Sequence, residues 1–361
     1  MSAADRMQAL VPERAPGPGA AGSTQASNGP APSSDAEARR VARGFAFGVL
    51  GVLIFALTMP MTRLAVGDQS APQLPPAFVT AGRAAFAGLL SLVYLAWAGA
   101  GRLQAPPRRL WPALAISAAG TVVGFPLGLA MALRDVPAMH ASVVTGVIPL
   151  GTAVVAALVL RQRASAGFWA CAALGCALVV TFAFLSGGGR LVVADAWLAL
   201  AVASTAFGYV AGARVSMHLK AEQTICWVLV GSLPLTLPAM LWTWPQSPAS
   251  VAAWAGFGYV TLFSMWLGFF AWYRGLAEGG VLRVSQVQLA QPFLALLAAV
   301  PILGERLEPL TVGFALAVVA VVFIGKRMPV TAPPAPVSPP ASAPVSVPGP
   351  EHSPRYDRPT A

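Results

Sequence analysis

Charge is what this chain has least of. Only 10% of its 361 residues are Asp, Glu, Lys or Arg, against about 25% in an ordinary soluble domain. Histidine appears three times and cysteine three times. Cys171, Cys176 and Cys226 all lie inside apolar runs. Their spacing fits no zinc pattern, and an odd count there gives no disulfide framework. They read as small packing residues. These scarcities exclude a soluble enzyme, a secreted disulfide scaffold and a disordered chain. The +10 net charge is no nucleic-acid signal in so apolar a sequence. It fits Arg-rich loops held at one membrane face.

Acid is scarcer than base, 13 residues against 23, and none of the acids falls in the middle of an apolar run. Proton and sodium relays usually place a carboxylate there. The sequence therefore argues against a carboxylate-based proton antiporter and favours passive facilitation, or coupling through groups near the loops. With few histidines and no metal motif, it also offers little to a membrane-embedded enzyme. No catalytic residue, metal or cofactor is expected.

Apolar residues, by contrast, make up 57% of the chain, and mean hydropathy is +0.69. A spanning helix takes about 20 mostly apolar residues. Ten runs of that kind lie at 44–64, 74–98, 110–133, 137–160, 165–186, 195–216, 223–243, 251–274, 281–303 and 308–325. Lipid-buried backbone must satisfy its own hydrogen bonds, so each run predicts a helix. The alternating strands of a barrel are missing. Residues 1–41 are expected to form a disordered tail lacking the apolar region of a cleavable leader, and 328–361 a Pro-rich disordered tail. With the N-terminus inside, inner segments hold fourteen basic residues, from Arg39 to Arg327. Outer segments hold four: Arg63, Arg134, Arg190 and Arg306. That asymmetry places both termini in the cytoplasm of an inner-membrane, multi-pass protein.

The second half echoes the first. The offset that carries Pro149 onto Pro292 also carries Ser142 onto Ser285, Ala156 onto Ala299, Leu160 onto Leu303, Arg163 onto Arg306, and Asp135 onto Glu278. Five spans per repeat is an odd number, so the halves, 42–186 and 194–327, must be inverted. Inverted repeats mark transporters whose substrate site lies near the midplane between the halves. The expected fold is all-α: a polytopic membrane protein of ten helices in two inverted five-helix repeats.

A helix with a central proline, then Leu303-Gly-Glu-Arg-Leu307, then another apolar helix resembles the EamA family of the drug/metabolite transporter superfamily. Pro149 and the stretch Leu160 to Arg163 are similar in the first repeat, though Gln162 stands where a glutamate is common. Phe78-Val-Thr-Ala-Gly-Arg83-Ala84 resembles the family's second helix. The resemblance covers roughly 44–326. It implies a ten-helix inner-membrane transporter, often an exporter of amino acids or related metabolites.

Site candidates follow from polar groups in apolar helices. An intrahelical proline frees the carbonyl four residues earlier: Thr145 for Pro149, Gln288 for Pro292. Ser285, Gln288 and Gln291 recur at every third position and share one helix face, and amides in lipid must face protein or a wet cavity. Arg83 is the one basic residue set well inside a run, where a guanidinium either grips a substrate carboxylate or snorkels to the interface. Trp266 and Phe270, four apart, are candidate cavity walls. Trp272 and Tyr273 read as interfacial anchors, and His140 as an interfacial histidine. The expected function is transport of small metabolites such as amino acids by alternating access, with export of amphipathic drugs as the alternative. Expected partners are a small-molecule substrate and membrane lipid, not nucleic acid; a homodimer is left open.

Overall fold

The computed structural model describes residues 34–99, 101, 103, 105–159, 163–279, 284 and 287–331. Nine helices among them are long and apolar enough to cross a membrane: α1 (Ala38–Val66), α2 (Pro76–Ala98), α3 (Arg108–Ala132), α4 (Ala138–Val159), α5 (Ala166–Ser186), α6 (Val193–Ser216), α7 (Glu222–Trp242), α8 (Val251–Gly279) and α10 (Pro309–Arg327). A tenth, α9 (Gln288–Leu303), is shorter. Most of residues 281–286, the start of the ninth apolar run, lie outside the described residues. The protein is thus an all-α, polytopic membrane protein.

Contacts between helix ends show that α9 also crosses. The described residues pair in one two-stranded sheet, β1 (Arg163–Ala164) antiparallel to β2 (Val330–Thr331). The Ser165 N–H donates to the Pro329 carbonyl at 3.1 Å. Six helices, α5 to α10, separate these partners; five of them are long enough to span, so the chain returns to the same face only if α9 crosses too. On the opposite face Gln69 donates to Asp135 at 2.8 Å, the Ser250 N–H donates to Gln73 at 2.8 Å, and the Ala138 N–H donates to Glu305 at 2.7 Å. These contacts join the α1–α2, α3–α4, α7–α8 and α9–α10 connections on one side, called here the odd-loop face. Arg43 meets Glu278 at 2.6 Å on the other, called the terminal face.

Helix packing carries the two-fold relation of the repeats. The cross-repeat pairs include α1 with α8, α2 with α7, α3 with α6, α4 with α6 and with α9, α9 with α1, and α5 with α10. Exchanging the halves, α1 for α6 through α5 for α10, turns this set into itself. Two equivalent crossings are made close by glycine. A methyl on Gly120 of α3 would stand 2.7 Å from the Gly208 Cα of α6, and one on Gly275 of α8 would stand 2.7 Å from the Gly48 nitrogen of α1.

Both expected tails are shorter among the described residues. Helix begins at Ser34 rather than after residue 41, because Ala36, Ala38, Arg39 and Arg40 are strong helix formers. Residues 328–331 are tied down by Pro329, which cannot donate to a ladder but accepts from Ser165. The rest of both tails, 1–33 and 332–361, lies outside the described residues.

Candidate functional site

Two helices that meet across the repeats are broken at matching positions. α4 runs as helix over Ala138–Thr145 and again over Ile148–Val159, with turn at Gly146 and Val147. α9 opens as a 3-10 turn, Gln288–Ala290, before helix resumes at Gln291–Leu303. Pro149 and Pro292 follow the breaks. Each has no N–H to close the helical ladder, which explains why both breaks fall where they do.

Between these breaks lies a cavity with about 70 Å³ of room for water-sized molecules. One buried water needs roughly 10–15 Å³ on this measure, so the space holds several waters or one small solute. Arg83, Thr145, Pro149, Gln288, Gln291 and Pro292 all line it. Ser285 lies outside the described residues. Trp266 and Phe270 do not line it: they pack on each other and on Tyr94, with ring centroids 4.9 and 5.0 Å apart for Trp266–Phe270 and Tyr94–Phe270. They point from α8 toward α2, because the helical spacing that joins them selects a face without saying which neighbour it meets.

The cavity also gathers Thr58, Thr121, Ser142, Thr205, Tyr209 and Ser264, which the sequence reading did not single out. Isolated hydroxyls in apolar helices carry little signal, but Thr121 and Ser264 are related by the same offset as Pro149 and Pro292. That coincidence was there to be read. Three of these hydroxyls, and Thr145 with them, donate back to their own helix: Thr121 to Ser117, Ser142 to Ala138, Thr205 to Ala201 and Thr145 to Ala141. This leaves acceptor lone pairs for the cavity.

Arg83 does not snorkel. It is 2% exposed. Its Nη2 donates to the Ser264 hydroxyl at 3.2 Å, and Ser264 shares a 2.8 Å hydrogen bond with Thr58. Nε and Nη1 have no partner among the described residues. Gln288 and Gln291 likewise spend no amide hydrogen bond on a described residue.

A route of access runs from the terminal face. A vestibule of about 970 Å³ reaches from the terminal face, where Lys220, Arg274 and Glu278 line it, and shares Tyr209, Phe269 and Gln288 with the central cavity. Trp272 and Tyr273 line this vestibule. Trp272, at 8% exposure, packs against Phe55 rather than standing at an interface.

Toward the odd-loop face the start of α4 is bound from several sides. Glu305 accepts from the Ala138 and Met139 N–H groups at 2.7 and 2.9 Å. The Arg63 guanidinium donates to the Leu133 and Val136 carbonyls and meets Asp68 at 3.4 Å. The Ser70 hydroxyl, then the Ala71 N–H, hold the Asp68 carboxyl below the usual carboxylate range. His140, expected at an interface, is instead 6% exposed, 2.8 Å from Asp195 and against the Phe182 ring. Asp195 opens α6, so this contact links the two repeats.

The model of the EamA-like transporter family matches the chain twice, over residues 42–184 and 192–325. The chain belongs to the EamA-like transporter family. It is 40% identical over 294 residues to the uncharacterized transporter YdeK of Bacillus subtilis (strain 168), covering 80% of this chain and 98% of that one. It is 29% identical over 234 residues to a protein of Streptantibioticus cattleyicolor named "Probable terminal-alkyne amino-acid exporter", covering 62% of this chain and 76% of that one. A crystal structure at 18% identity aligns with a TM-score of 0.55 over 78% of this chain and 96% of its own, a likeness of fold. An EamA transporter is what the ten apolar runs, the repeat and the Leu-Gly-Glu-Arg-Leu stretch implied.

Proposed function

We propose that this EamA protein is an inner-membrane carrier, an exporter or facilitator, for small polar metabolites such as amino acids, with both termini cytoplasmic. The observation that carries it is the cavity with polar groups at the seam of the two repeats. Hydroxyls, two amides and a guanidinium meet at the breaks of α4 and α9, beside a vestibule that reaches the terminal face, while hydrogen bonds tie the helix ends together at the odd-loop face. Rocking of one repeat against the other would exchange the open side while the site stays in place. The name of the Streptantibioticus relative supports the amino-acid class. Amphipathic drugs are the second reading: Trp266 and Phe270 pack away from the cavity, but Phe55, Phe125 and Phe269 line it.

Counterflow in proteoliposomes tests the proposal. Labelled amino acids should enter saturably when unlabelled substrate is trapped inside. Gln288→Ala should lower that flux by about tenfold, the worth of one hydrogen bond of roughly 1–1.5 kcal/mol lost at the site, while membrane insertion stays intact. Full activity in that variant removes Gln288 from the site. Uptake of amphipathic drugs alone would replace the metabolite reading. Separately, reporters fused to either terminus should both read cytoplasm. A periplasmic signal at one end would overturn the orientation.

A further inference from the structure

We propose that the central cavity is a carboxylate site: the cargo brings an anionic group that seats on the Arg83 guanidinium. This rests on the carrier reading above and names the charge its substrate must carry.

Among the described residues lining the cavity, Arg83 is the only cation and none is acidic. An arginine cannot shed its proton to escape burial. Buried charges in proteins are paired or coordinated, yet three of the five N–H donors here, one on Nε and two on Nη1, have no described partner and no solvent contact. By contrast, Arg43 and Arg274 are met by Glu278, and Arg63 by Asp68 and two carbonyls. Arg83 has one neutral hydroxyl. That hydroxyl, Ser264, is itself held by Thr58, so the chain Thr58–Ser264–Arg83 fixes the guanidinium from one side and leaves the rest of its fork unspent.

The missing counter-charge is therefore the ligand's. Planar forked donors match a carboxylate, which accepts two parallel N–H bonds. The remaining groups of the cavity complement what a small carboxylate carries beside its acid. Gln288 and Gln291 offer donors and acceptors alike, and the hydroxyls of Thr145 and Ser142 offer acceptors. A halide would satisfy the charge but not the fork.

Thermal unfolding of the full-length protein in detergent tests this without any need for transport. The probes are sodium propionate, its neutral isostere propionamide, and sodium chloride, at matched ionic strength in sodium HEPES. Ligand that binds only the folded state raises its midpoint. Propionate should raise it by about 2 °C or more, propionamide should not, and Arg83→Gln should abolish the response. Arg83→Lys, which keeps the charge and loses the fork, should retain part of it and keeps the test decisive if the glutamine variant fails to fold. Equal response to propionate and propionamide, or a propionate response that survives in Arg83→Gln, overturns the proposal. Chloride matching propionate overturns the carboxylate assignment. The two readings fail separately. Charge-dependent binding with no amino-acid counterflow refutes the carrier function. Counterflow of L-alanine undiminished in Arg83→Gln, with no charge-dependent binding, refutes the anion site.

Discussion

Replacing Glu305 with alanine is expected to unfold the protein several degrees earlier and to cut transport sharply. Its carboxylate accepts two backbone N–H groups at the start of α4, at 2.7 and 2.9 Å. A helix N-terminus leaves its first N–H groups without internal partners, and an anion there also meets the positive end of the helix dipole. Hydrogen bonds to a charged group are worth about 1.5–3 kcal/mol each, and truncation also orphans the donors. The loss should reach roughly 3 kcal/mol. At about 2 °C per kcal/mol for a chain of this size, the midpoint falls by roughly 6 °C. Glu305→Gln keeps an acceptor and loses the charge, so it should fall between wild type and alanine. Transport suffers because the same half-helix, Ala138–Thr145, ends at the cavity with Thr145. Unchanged unfolding and unchanged counterflow in Glu305→Ala would show that the two contacts contribute nothing.

Glu305 also shows where sequence reasoning reached its limit. Its place between two apolar runs, in the Leu303-Gly-Glu-Arg-Leu307 stretch, was visible. That its carboxylate reaches back to cap a helix of the other repeat was not, since hydrophobic period says nothing about which helix stands beside which. His140 and Asp195 repeat the lesson. Each sits at the start of an apolar run and reads as interfacial, yet the two bury one another across the seam. Burial of a paired group is a property of the pair, and the pair is set by packing. What was legible had a local cause. Ten runs follow from hydrophobic length, the repeat from a constant offset, and the helix breaks from a proline without an N–H. The polar face of α9, and Thr145 on α4, were legible for the same reason. The aromatic wall was not: Trp266 and Phe270 share a face of α8, but whether that face meets the cavity or Tyr94 depends on how α8 is turned against α2.

How α8 is turned is itself controlled by an irregularity, and removing it should have the largest effect on transport. Within α3 the Phe125 N–H bonds to the Gly120 carbonyl, and within α8 the Gly268 N–H bonds to the Phe263 carbonyl, each reaching to the fifth residue back instead of the fourth. Gly120 matches Phe263, and Phe125 matches Gly268, at the same offset that relates Pro149 to Pro292. The widened segments, Ala118–Gly124 and Val260–Leu267, hold Thr121 and Ser264, both on the cavity. Such bulges amount to one extra residue in an α-helix and recur at functional sites. Deleting Leu262, which faces outward at 37% exposure, should let α8 close into regular helix. Since each helical residue turns the chain by about 100°, one half of α8 must then rotate against the other. Either Ser264 leaves Arg83, or Phe257 leaves its stacking place on Phe78. Counterflow should fall by about tenfold or more, the scale expected when a site group is displaced by an ångström or more. Leu262→Ala, which removes the side chain and keeps the residue count, should transport normally. Retention of flux in the deletion variant would mean that the bulge serves packing alone. A matching loss on deleting Val123 from α3 would show that the two repeats set their cavity residues by the same device, which is what a site built on the two-fold axis requires.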